Sequence, residues 1–84
     1  MEIKFKKRLQ KDFKKLLPKI KEKFYERLEI FINNKFDIIL NNHSVNKAFS
    51  DCRSINITGD YRAIFKDDGD VVVFITIGTH SELY

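Results

Sequence analysis

Alternation opens the chain: Glu2, Ile3, Lys4 and Phe5 run polar, apolar, polar, apolar, which predicts a short strand within Met1 to Phe5. From Lys7 the spacing changes. Leu9, Phe13, Leu16 and Leu17 recur at helical intervals with lysines between them, until Pro18 interrupts. Pro18 suits the first turn of a second helix, whose buried stripe would be Ile20, Phe24, Leu28, Phe31 and Ile32 and which would stop near Asn33 and Asn34. Phe36 to Leu40 is apolar without a clear period, and Asn41, Asn42, His43 and Ser44 read as a polar loop.

Beyond Arg53 the period becomes two. Ile55 and Ile57 share one face, Ser54, Asn56 and Thr58 the other, and Gly59 with Asp60 closes the segment. Tyr61, Ala63 and Phe65 then alternate with Arg62 and Ile64, up to a hairpin turn at Asp67, Asp68, Gly69 and Asp70. Val71 to Ile77 is β-branched and apolar on both faces, as a central strand is. The order predicts an α+β fold: a short N-terminal strand, a helical hairpin, then an antiparallel meander with the helices on one face. Setting Ile55, Ala63 and Phe65 against the helices sends Asn56 and Arg62 to the opposite, partly open face.

Composition narrows this further. Eighty-four residues, 43% hydrophobic with eight Phe and three Tyr, suffice for one domain spanning 1–84, burying roughly 60–65% of its unfolded surface. No repeat or linker divides it. A single cysteine, Cys52, allows no internal disulfide and no thiol pair for zinc, so a reduced, cytoplasmic setting is expected, with Cys52 as a small apolar filler. No apolar stretch is long enough to span a bilayer, so no membrane partner is expected. The net charge of +4 suits an anionic partner, and ten of the sixteen basic residues lie in Met1 to Lys23. Lysine-rich helix faces are more often solvated surface than a nucleic-acid site.

Four side chains could carry chemistry. His80, just past the central strand after Gly78 and Thr79, should stand at a strand end; by position alone the commoner reading is a surface histidine in a C-terminal tail. Arg62 on the open face could hold a phosphate, or could pair with Asp60 two residues away. His43 supplies a second imidazole for acid-base work or is a polar loop residue, and Tyr84 alone says little.

Two stretches add a resemblance. Cys52-Arg-Ser-Ile-Asn-Ile-Thr-Gly-Asp-Tyr-Arg-Ala-Ile-Phe65 and Val71-Val-Val-Phe-Ile-Thr-Ile-Gly-Thr-His-Ser-Glu-Leu-Tyr84 resemble the RelE/ParE toxin superfamily, and more narrowly its YafQ-like branch. Phe13-Lys-Lys-Leu-Leu-Pro18 and Leu40-Asn-Asn-His43 extend the resemblance to the N-terminal half. It implies the toxin of a two-gene type II toxin-antitoxin module, held by a cognate antitoxin, that cuts mRNA in the ribosomal A site without metal or cofactor. By the same resemblance His80 is the catalytic histidine, Tyr84 the aromatic residue after it, His43 the loop histidine, Asp60 a catalytic-site aspartate and Arg62 the residue facing the scissile phosphate. Arg53 is a further phosphate-binding candidate. Asn56 stands where the YafQ pattern has a histidine, and an amide can orient or hydrogen-bond but cannot transfer a proton.

Two other functions are compatible with the same fold. A ParE-type relative would inhibit DNA gyrase by binding it and would need no catalytic histidine. A non-toxic RNA-binding module is the other, to which Asn56 lends some weight.

Overall fold

In the computed structural model, which describes residues 1–84, the elements are β1 (Glu2–Phe5), α1 (Lys7–Lys14), α2 (Pro18–Asn33), β2 (His43–Ser44), β3 (Arg53–Asn56), β4 (Tyr61–Asp67), β5 (Val71–Thr79) and α3 (His80–Leu83). The five strands form one sheet in the order β1-β5-β4-β3-β2, antiparallel throughout except that β1 runs parallel to β5. The predicted strand, helical hairpin and meander are all present. Pro18 occupies the first turn of α2, where its missing N–H costs no helical bond.

Leu9 of α1, with Phe24 and Phe31 of α2, packs on Ile55, Ala63, Phe65, Val72, Phe74 and Ile77 to make the core. Phe74 lies at its centre, its ring 5.3–6.0 Å from those of Phe5, Phe24, Phe31 and Phe65. Ile32 departs from expectation. It is largely exposed, because it lies about 100° further round the helix than the buried Phe31. Leu17 likewise leaves the first helix and becomes the extended residue before α2.

β1 stops opposite Phe74, and α1 packs against β5, where the Thr76 hydroxyl donates to Asp12 at 2.8 Å. A bulge between Ile64 and Phe65 in the β4–β5 register leaves Ile75 unpaired. Gly69 takes the positive φ of 90° that the β4–β5 turn needs.

Three expectations need correcting. The loop assigned to Asn41 to Ser44 contains the two-residue strand β2, paired with β3. The tail after β5 is a helical turn, α3. The face opposite the helices is not open throughout: Ser54 and Ile64 are buried there, pointing away from Ile55 and Ala63 in the core.

One ion pair ties the segment just after α2 to the sheet. Lys35 Nζ lies 2.7 Å from Asp67 Oδ2, both side chains largely covered. Burial pushes the Asp67 carboxyl up, but hydrogen bonds from Lys35 and the Gly69 N–H, with the charges of Lys35 and Arg53, outweigh it and hold the pKa below the ordinary 3.8. Folding therefore keeps this group charged where the unfolded chain would protonate it. The resulting stability is complete above the unfolded value and is lost as pH falls through the lower folded one. Asp67→Asn is expected to cost about 1–2 kcal/mol at neutral pH and to flatten the acid limb of the stability profile below about pH 4, which urea unfolding across pH will check.

Candidate functional site

The site is organised by the end of β5. Thr79 caps α3: its hydroxyl accepts from the Glu82 N–H at 3.3 Å while Glu82 Oε1 accepts from the Thr79 N–H at 2.8 Å. The Thr79 N–H foremost, with the Thr79 side chain, holds the Glu82 carboxyl below the usual carboxylate range. The turn is tight enough that a Cβ on Gly78 would meet Glu82 Oε1 and Leu83 Cδ2 at 3.4 Å. His80 is thus the first residue of a capped helical turn, and its backbone N–H donates to the Asp60 carbonyl at 3.0 Å. That bond joins the start of α3 to the β3–β4 turn.

Arg62 stands opposite Gly78 on one side and Asn56 on the other. It does not pair with Asp60. Its guanidinium donates from Nη1 to the carbonyls of Thr58 (3.0 Å) and Tyr61 (3.1 Å), which pins one nitrogen and leaves the cation without a carboxylate partner. Beside it, Asn56 Oδ1 and, two residues earlier, Ser54 Oγ are buried with no hydrogen-bond partner. An orphaned buried acceptor costs about 1–3 kcal/mol, and such groups collect where a ligand supplies the missing partner.

His43, on β2, lies on this same face through its pairing with Ser54. Its Nδ1 is 2.7 Å from the Asn41 carbonyl, which can only accept, so Nδ1 carries the proton and Nε2 of the neutral ring is left as acceptor. No hydrogen bond joins it to His80, and their strands are three inter-strand steps of about 4.8 Å apart. The Tyr84 ring lies 4.8 Å from that of His80 and 6.4 Å from Phe49 in the loop after β2.

The structure therefore brings His80, Asp60, Arg62, Asn56 and Tyr84 to one end of the sheet, with His43 across the same face. Arg53 is not among them. It shares the helix-side face with Ile55, where Nε donates to Asn42 Oδ1 at 2.7 Å and the guanidinium lies 5.5 Å from the Phe36 ring. Cys52 is buried, and burial pushes its thiol up, as a filler residue requires. No three His, Cys, Asp or Glu side chains converge as a metal-binding group. Of the ten basic residues before Phe24, only Arg8 and Lys23 have a carboxylate within ion-pair distance, so α1 and the start of α2 carry a largely uncompensated positive field.

The whole sequence, residues 1–84, matches the family model described as bacterial toxin of type II toxin-antitoxin system, YafQ. The chain belongs to that family. Similar solved structures include YafQ from E. coli strain BL21(DE3), 20% identical, with a TM-score of 0.84 over 99% of this chain and 97% of the other. The E. coli DinJ-YafQ toxin-antitoxin complex contains a chain 21% identical, TM-score 0.82, with coverage of 99% and 96%. The RelB-RelE antitoxin-toxin complex from Methanococcus jannaschii contains one 21% identical, TM-score 0.76, with coverage of 96% and 94%. These establish a shared RelE/ParE-like fold. No curated protein is recognisably similar in sequence. No helix of this YafQ-family toxin is long and apolar enough to cross a membrane.

Two contributors escaped the sequence reading. Thr79-x-x-Glu82 is a capping-box pattern visible in the letters. Phe49, a lone aromatic among polar residues, carries no local signal.

Proposed function

We propose that this toxin is an endoribonuclease that cleaves messenger RNA in the ribosomal A site by attack of a ribose 2′-hydroxyl on its own 3′-phosphodiester. The observation that carries the reading is the grouping of an exposed imidazole, His80, with Arg62 and the orphaned Asn56 acceptor at one end of the sheet. In the step, the bond from O2′ to phosphorus forms as the bond from phosphorus to O5′ breaks. One proton leaves the 2′-hydroxyl and one reaches the 5′-oxygen, so neither metal nor nucleophilic side chain is needed. DNA lacks the attacking group.

His80, assisted by Asp60 or by the free Nε2 of His43, moves these protons, a task suited to imidazole because its ring can offer one nitrogen to accept and one to donate. Arg62 stabilises charge growing on the phosphate, and Tyr84 stacks on a base. Asn56 donates or accepts at a base edge or ribose hydroxyl.

The partner we propose is a cognate antitoxin. DinJ occupies that role beside the E. coli YafQ chain, and an acidic segment would complement the unpaired lysines of α1. The test is the chemistry of the cut ends. Message on programmed ribosomes, incubated with the toxin, is expected to yield 2′,3′-cyclic phosphate and 5′-hydroxyl ends, and none when the cleaved nucleotide is 2′-deoxy. Cutting of the deoxy message would overturn the mechanism.

A further inference from the structure

A single helical turn is too short to hold itself together, so α3 and the Tyr84 ring behind it depend on what they pack against. Thr79 secures the start of the turn. The far side meets the loop between β2 and β3, and that loop is built around one side chain. Within residues 46–51 only Phe49 is partly buried, and every neighbour is exposed.

The loop's hydrogen bonds converge on this position. Phe49 N–H donates to the Val45 carbonyl at 2.9 Å, its own carbonyl accepts from Cys52 N–H at 3.1 Å, and Val45 N–H donates to the Cys52 carbonyl at 3.0 Å. Asp51 adopts a positive φ of 59° to close the loop, a conformation unusual for a non-glycine residue. All this delivers the Phe49 ring edge-on to Tyr84, at 6.4 Å and 79° between planes, while Tyr84 meets His80 at 4.8 Å. Phe49, Tyr84 and His80 form a row of three rings linking the loop after β2 to the start of α3.

We propose that Phe49 is a positioning residue of the site: it acts through Tyr84 to hold that ring, and with it the His80 imidazole, in place for RNA. Tyr84 remains 46% exposed and, with Ser44 to Ala48, lines an open cleft of about 390 Å³, large enough for a nucleobase. The loop is therefore a wall of the base-binding cleft as well as a support. The proposal rests on the ribonuclease reading above.

The test uses Phe49→Leu, which keeps an apolar filler and removes the ring, alongside Phe49→Trp, which keeps an aromatic edge. Phe49→Leu is expected to lower kcat/KM for message cleavage about threefold to tenfold, the range an aromatic pair is worth, and Phe49→Trp to restore most of it. In a Tyr84→Ala background Phe49→Leu should add nothing. The ring-current shifts of the Tyr84 and His80 resonances, read by NMR on the free protein, should move in Phe49→Leu and return towards wild type in Phe49→Trp. An equal loss with and without Tyr84, or unmoved ring shifts, would overturn the proposal. If the wild-type protein cuts no RNA, the ribonuclease reading falls, and the ring shifts still decide whether Phe49 holds Tyr84 and His80.

Discussion

Replacing His80 by alanine is expected to lower the rate of mRNA cleavage by about 10² or more and to abolish growth arrest with it, since one positioned proton transfer is typically worth 10²–10⁴. Stability should barely change. His80 is exposed, and the bond that anchors it to the Asp60 carbonyl comes from its backbone N–H, which alanine retains. The melting temperature of His80→Ala therefore serves as the control that separates chemistry from folding. Arrest that persists in His80→Ala with transcripts intact would end the ribonuclease reading and point to a ParE-type toxin that acts on gyrase by binding.

Phe74→Ala is expected to act in the opposite sense, on folding first. The side chain is fully buried and meets four other phenylalanine rings, so its removal leaves a cavity between α2 and the sheet that no small shift can fill. The expected loss is about 3–5 kcal/mol. Small domains hold only about 5–15 kcal/mol in total, so urea unfolding should show a sharply lowered midpoint. Phe74→Ala and His80→Ala would both abolish toxicity, and only the first would also lower the unfolding midpoint. A loss below about 1 kcal/mol would mean that the ring cluster repacks around the gap.

Much of this was legible in the residues because period carries face. The alternation through Ile55, Asn56 and Ile57, and through Tyr61, Arg62 and Ala63, sorted the core face from the opposite one without knowledge of which strands pair. The resemblance of Gly59-Asp-Tyr-Arg-Ala-Ile-Phe65 and Gly78-Thr-His-Ser-Glu-Leu-Tyr84 then drew His80, Asp60 and Tyr84 together. What was not legible depends on contacts distant in sequence. The two-residue strand at His43 and Ser44 exists only because β3 offers an edge to it. Ser54 and Ile64 fall by alternation on the partly open face, yet both lie fully buried. The surroundings of Arg53 were not legible for a different reason. Its face was set by the alternation, but its partners Asn42 and Phe36 lie in a segment whose path had no periodic signal.

The parallel pairing of β1 with β5 bears on when the toxin can act during its own synthesis. Ile3 and Phe5 have their strand partners at Val72 and Phe74, beyond two helices and three strands of intervening chain. Until β5 leaves the ribosome, β1 and β4 lack the neighbour that lies between them, and Phe24, Phe31 and Phe65 lack the ring at their centre. Such late-closing contacts slow folding relative to a helical bundle of the same length. They also leave an interval in which a newly made chain is unassembled, and an antitoxin already present in the cell could meet it before the site exists.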